Sequence, residues 1–139
     1  MNMFKKIACT VLALVLLTAA LAGCGSSRDV KSELTGEWFI WHWYYNVKDG
    51  DNGFFDKALF YTFSEDGKVI ITSQDESVAQ VDAEYTFTGK DTIEITYPDG
   101  AVDSMQLIPS EHDGVNQIQM MNVDTNYTLT LEPMDSWSD

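Results

Sequence analysis

Disulfide bonding is almost closed to this chain. Its 139 residues include two cysteines, Cys9 and Cys24, and both lie in an N-terminal segment that does not read as part of a folded domain. Basic residues are scarce as well: eight lysines and arginines stand against 22 aspartates and glutamates. So acidic a chain repels nucleic acid and anionic headgroups, which argues against nucleic-acid binding and leaves a cationic ligand or basic partner as the charge-complementary alternative to plain surface solubility. A 3.6-residue hydrophobic period is missing from the whole stretch after Cys24, and so are long repeats and low-complexity blocks. A helical bundle is therefore not expected. No Ser-His-Asp order, cysteine nucleophile or glycine-rich phosphate loop stands out, so the chain is not read as an enzyme and no cofactor is expected.

What is present begins with the ends of the one long apolar run. "MNMFKK" supplies a basic start through Lys5 and Lys6, and "IACTVLALVLLTAALAG" follows without a charge. A basic start, an apolar stretch and small residues at its end are the layout of a secretion signal. The last residues read Leu21-Ala22-Gly23-Cys24. They resemble the lipobox of bacterial lipoproteins. The resemblance implies that residues 1–23 are removed and that Cys24 carries diacylglycerol on its sulfur, with further palmitate-type acylation of its amine where the organism adds it. Membrane attachment is then through the Cys24 lipid, on the extracytoplasmic face of the cell membrane. In a cell with two membranes, Gly25 after the cysteine favours the outer one by the same analogy.

Processing at Cys24 leaves about 116 residues, enough for one domain with its own core. Cys9 leaves with the leader and Cys24 is acylated, so stability has to come from packing. Loss of Lys5 and Lys6 leaves six basic residues against 22 acids, a side-chain balance of −16. Residues 24–33, "CGSSRDVKSE", are small and polar and read as a tether. The domain proper is expected over 34–139.

From residue 34 onward the pattern has period two. Strands are predicted over 36–45, 58–63, 68–73, 80–88, 92–97, 102–108, 116–121 and 126–132. Val81, Ala83, Tyr85 and Phe87 alternate with Asp82, Glu84 and Thr86, and Tyr127, Leu129 and Leu131 alternate with Thr128 and Thr130. Such alternation marks antiparallel strands with one wet face. "SEDGK" places Gly67 where a short hairpin loop needs a positive φ, and "TGKD", "PDG", "HDG" and "VDTN" recur at hairpin spacing. The predicted fold class is all-β: an antiparallel up-and-down meander of about eight strands. Closure into a small barrel protects its edges best, with an open or two-layered sheet as the alternative.

Two stretches of this meander carry a family resemblance. "LTGEW", with Gly36 and Trp38, is similar to the Gly-x-Trp opening of lipocalins, and the "FSEDGKV" hairpin resembles small bacterial lipocalin-like lipoproteins. The resemblance implies that Trp38 points inward to plug the barrel base, and that one end of the interior receives a small apolar or amphipathic molecule.

The first strand, "LTGEWFIWHWYYN", is apolar on both faces. Strict alternation puts Trp38, Ile40, His42 and Tyr44 on one side and Phe39, Trp41, Trp43 and Tyr45 on the other. With Trp38 inward, the second set faces solvent as a row of rings, and Trp41 and Trp43 become a candidate contact surface. Three covers are open: a bulge that swaps the faces midway, the chain's own "GFF" or "PMDSW", or a partner. The ligand lining expected from alternation is His42, Tyr44, Tyr61, Phe63, Tyr85, Tyr97, Met105 and Tyr127, in which tyrosines supply both wall and polar handle.

Weaker signals are read structurally. "DGDNG" begins like a calcium loop, but Gly53 and Phe60 stand where such a loop needs acids. His42 and His112 have no second ligand at metal spacing, so no metal site is expected. The functional expectation is a lipid-anchored envelope protein whose barrel binds a small apolar or amphipathic ligand. The alternative is a solid barrel acting as a protein–protein interaction module of the envelope.

Overall fold

Period-two alternation becomes eight antiparallel strands that close on themselves. The computed structural model describes residues 28–45 and 51–137; the leader, Cys24 and the first two residues of "DGDNG" lie outside the described residues. The strands are β1 (Gly36–Tyr45), β2 (Asn52–Phe63), β3 (Lys68–Ser73), β4 (Val81–Phe87), β5 (Thr92–Thr96), β6 (Val102–His112), β7 (Val115–Asn122) and β8 (Tyr127–Pro133). Each pairs with the next, and β8 returns to β1, giving a closed up-and-down barrel. Closure leaves no unpaired sheet edge.

Alternation fills the inside. Trp38, Ile40, Tyr61, Phe63, Val69, Ala83, Ile93, Ile95, Met105, Leu107, Ile118, Met120, Leu129 and Leu131 form one continuous buried cluster. Burial of such side chains contributes about 1.5–3 kcal/mol each relative to exposure, so this core holds the fold in place of disulfides.

The turns follow the expected chemistry. Ser64 closes the β2–β3 loop by donating its amide to Lys68 O at 2.9 Å, and Gly67 within it has φ +85°. A Cβ on Gly67 would also lie 3.2 Å from the Tyr85 carbonyl oxygen, so glycine is required there both for backbone conformation and for space. Asp113 and Gly114, both at positive φ, form the two-residue β6–β7 connection, the arrangement that suits a tight hairpin.

Two strands run longer than expected. β2 begins at Asn52 rather than near residue 58. Its alternation is broken where Ile40 pairs with Leu59 but His42 pairs with Phe54, so two steps on β1 oppose five on β2. β6 runs to His112 through Pro109. That proline lies beyond the last β5–β6 pair, Thr92 with Gln106, so the ladder does not lose a donor there.

The expected tether is partly folded. Val30–Glu33 forms one helical turn, α1, whose N-cap Asp29 accepts from the Lys31 amide. Val30 and Leu34 are buried in the barrel core, and Trp38 Nε1 donates to Leu34 O at 2.8 Å. Arg28 pairs with Glu33 and donates to the Ser110 carbonyl at 2.7 Å. Lys31 Nζ lies 5.2 Å from the Phe87 ring centroid. The segment before β1 thus plugs one end of the barrel, where Trp38 also sits, as expected for that residue.

Candidate functional site

The first strand decides what faces the interior. Trp38 and Ile40 point inward. A register shift then falls between Ile40 and His42 against β2, and between Phe39 and Trp43 against β8, where four steps on β1 oppose three on β8. One extra residue reverses the facing of everything after it. Trp43 therefore packs against the core. Its ring stacks on Tyr127 at 6.1 Å and 23°, and a Cβ on Gly53 would come within 2.8 Å of Trp43 Cζ2. His42 and Tyr44 turn outward in exchange. These three positions correct the expectation from strict alternation: His42 and Tyr44 are not interior lining, and Trp43 is not an outer contact residue.

The outer rings before the slip are covered by the chain itself. After β8 a 3₁₀ turn, Met134–Ser136, brings Trp137 back over β1 and β2. Its ring centroid lies 4.9 Å from Phe39, 5.2 Å from Trp41 and 5.4 Å from Phe60. Phe39, though it faces outward, is only 4 % exposed. Of the three covers, the bulge and the "PMDSW" tail both operate, on successive halves of the strand.

At the end opposite α1 the barrel opens into a cup of about 320 Å³. Four of the eight expected lining residues meet there: Tyr61, Tyr97, Met105 and Tyr127. Phe55, Leu59, Met120 and Leu129 complete the apolar wall, and Asp103 and Asn122 supply the polar groups. Phe63 and Tyr85 do not reach it. They belong to the plugged end, where their rings meet edge to face at 5.1 Å and the Tyr85 hydroxyl donates to Ser64 O at 2.6 Å.

Asp103 is the residue that sequence reasoning missed. The signal was legible: in the inward file Asp103, Met105, Leu107 of β6, one position is an acid. Tyr97 and Asp103 line the cup together, and Asn122 Nδ2 donates to Asp103 Oδ1 at 3.3 Å. Burial pushes the Tyr61 phenol up to about 12, with smaller contributions from the Asp103 carboxylate and Tyr127. Tyr97 is also held above the ordinary tyrosine value, by burial first and then by Tyr61 and Asp103. Tyr127 is raised by burial and by Tyr45. The cup therefore presents neutral phenols around one half-buried acid, and the described basic residues Arg28, Lys31, Lys57, Lys68 and Lys90 are all absent from its lining.

A second concavity, about 540 Å³, lies on the outside of the barrel. Trp41, His42 and Phe54 wall one side, Glu111 and His112 the other, and Gln117, Gln119, Thr130 and Glu132 form the floor. The bulge brings the chain's two histidines to one groove. Its floor is bonded within itself: Tyr44 donates to Gln119 Oε1 at 2.6 Å, and Gln117 Nε2 to Glu132 Oε1 at 2.8 Å. Among the described residues no group of three or more His, Cys, Asp or Glu side chains is placed to hold a metal ion.

The chain has no significant match to known protein families, to curated proteins or to solved structures. No helix among the described residues is long and apolar enough to cross a membrane.

Proposed function

We propose that this protein is a lipid-anchored envelope lipoprotein with a lipocalin-like barrel that binds a small apolar or amphipathic ligand. One observation carries the binding reading. A barrel filled along the rest of its length leaves a cup at one end, and that cup joins apolar walls to a few convergent polar groups. Concavities of this size and lining are what small-molecule sites require. Attachment rests on the basic start, the apolar run and Leu-Ala-Gly-Cys24. Four residue steps separate Cys24 from Arg28, which spans ~14 Å at most. Arg28 and α1 lie at the plugged end, which supports attachment from that end, with the cup opening on the far side from the proposed anchor.

The test is titration of the full chain, held in neutral maltoside micelles, with a neutral apolar fluorophore against empty micelles as blank. Binding that weakens in Tyr127→Ala and Met105→Ala, with unchanged circular dichroism, supports the cup. Binding indifferent to both substitutions defeats it. The interaction-module alternative rests on the outer groove, where Phe54 is 73 % exposed beside His42. Phe54→Ala abolishing capture of an envelope protein, while probe binding is retained, favours that alternative.

A further inference from the structure

We infer that the cup selects an organic ammonium: an amine or quaternary ammonium group carried on an apolar body. The inference rests on the reading of the cup as a ligand site and names the chemistry of its occupant. Asp103 points inward from β6, opposite Ile95 of β5, and lies half-buried among Tyr61, Tyr97 and Tyr127. The ion pairs among the described residues are Arg28 with Glu33 and His112 with Asp113, so Asp103 has no basic side chain against it there. Among the described residues Asp103 thus stands without a counter-charge, which a cation entering beside it would supply. Aromatic walls favour the same ion, because the electron-rich face of a phenol attracts an alkylammonium that would gain little from a simple hydrocarbon wall.

Other occupants fit less well. An anionic amphiphile meets Asp103 directly and approaches a chain with 22 acids. A calcium ion takes six to eight oxygen ligands, and the lining carries one carboxylate and one amide beside its three phenols. A neutral apolar molecule fills the wall but brings no positive charge to the carboxylate. An ammonium with a short apolar tail satisfies the acid, the rings and the apolar patch of Phe55, Leu59 and Leu129 together.

The experiment is calorimetric titration of the full chain in maltoside micelles with three soluble probes of matched tail: hexyltrimethylammonium, hexanol and hexanesulfonate. The ammonium is expected to bind about tenfold more tightly than hexanol, the value of one desolvated cation–π contact with a nearby carboxylate, and hexanesulfonate least. Asp103→Asn should remove the preference and leave hexanol binding in place. Tyr127→Phe should keep the preference and Tyr127→Leu should reduce it, which decides the matter if Asp103→Asn fails to fold. Equal binding of ammonium and hexanol overturns the ammonium inference while the cup stands. So does a preference that survives both Asp103→Asn and Tyr127→Leu. Binding of none of the three overturns the cup reading itself.

Discussion

The Trp137 ring lies over Trp41 with centroids 5.2 Å apart and planes tilted by 44°. The two residues come from opposite ends of the described chain. Their contact turns an aromatic row on the outside of a barrel into a small second core, shared with Phe39 and Phe60. It also makes the C-terminal tail a structural strap across β1 and β2.

Trp137→Ala should therefore uncover three rings at once. Its own ring is half-buried, so the loss is expected near the low end of aromatic truncations, about 1–3 kcal/mol. Denaturant unfolding measures it. Binding of a hydrophobic dye should rise in the same variant, and Trp41→Ala, which leaves Phe39 under Trp137, should raise it less. Dye binding equal to wild type would show that the tail does not cover this face.

Gly67→Val is expected to destabilise by about 1–3 kcal/mol, because φ +85° disfavours a branched side chain and its Cβ would press on the Tyr85 carbonyl. Gly114, also at positive φ, has nothing within 4 Å of a built Cβ. Gly114→Asn should accordingly cost little, since asparagine tolerates this region. Thermal melts of the two variants side by side check the contrast.

Alkaline pH should unfold the protein ahead of ordinary tyrosine-free expectations. The Tyr61 phenol is raised from 10.0 to about 12 in the folded state by burial. The unfolded chain then releases this proton first and binds fewer protons than the native state above pH 10. Stability is thus fully present below about pH 10 and falls as pH climbs toward 12. Tyr61→Phe should flatten the fall, read as the midpoint of urea unfolding against pH. An unchanged slope would show that Tyr61 ionises without unfolding.

Cys24→Ser tests the proposed anchor. Lipid attachment requires the thiol, and stable anchoring needs more than one acyl chain. The variant should accumulate as an uncleaved precursor and lose labelling by a palmitate analogue. Equal label in the two forms would remove the lipoprotein reading without touching the barrel.

Much of the fold was legible in the chain because alternation and turn chemistry are local. Val81 to Phe87, Ile93 to Ile95 and Tyr127 to Leu131 each declare an inward and an outward face, and glycines or Asp-Gly pairs mark the reversals. The ends of β2 and β6 were less legible. In β2 the residues Phe55 to Ala58 break the period at a slip, and in β6 a proline is tolerated only because no β5 residue is paired beside it.

The site was half legible for the same reason. Tyr61, Tyr97, Met105 and Tyr127 follow from parity along stretches that hold no slip, and Asp103 was available to the same reading. His42, Tyr44 and Trp43 were misplaced because parity along β1 holds only up to the bulge, and no local pattern marks where a strand yields. That position is set by two neighbours at once, β2 with its three extra residues and β8 with its one fewer. The sequence by itself determined the number of strands, the inward residues of stretches that run without a slip, and the acidic, cysteine-free character of the barrel, since these depend on composition and on residues two apart. Only tertiary structure decided which end is plugged, which is cupped, and that Trp137 covers Trp41, because closure of a barrel and the slip that permits it are collective properties of strands distant in the chain.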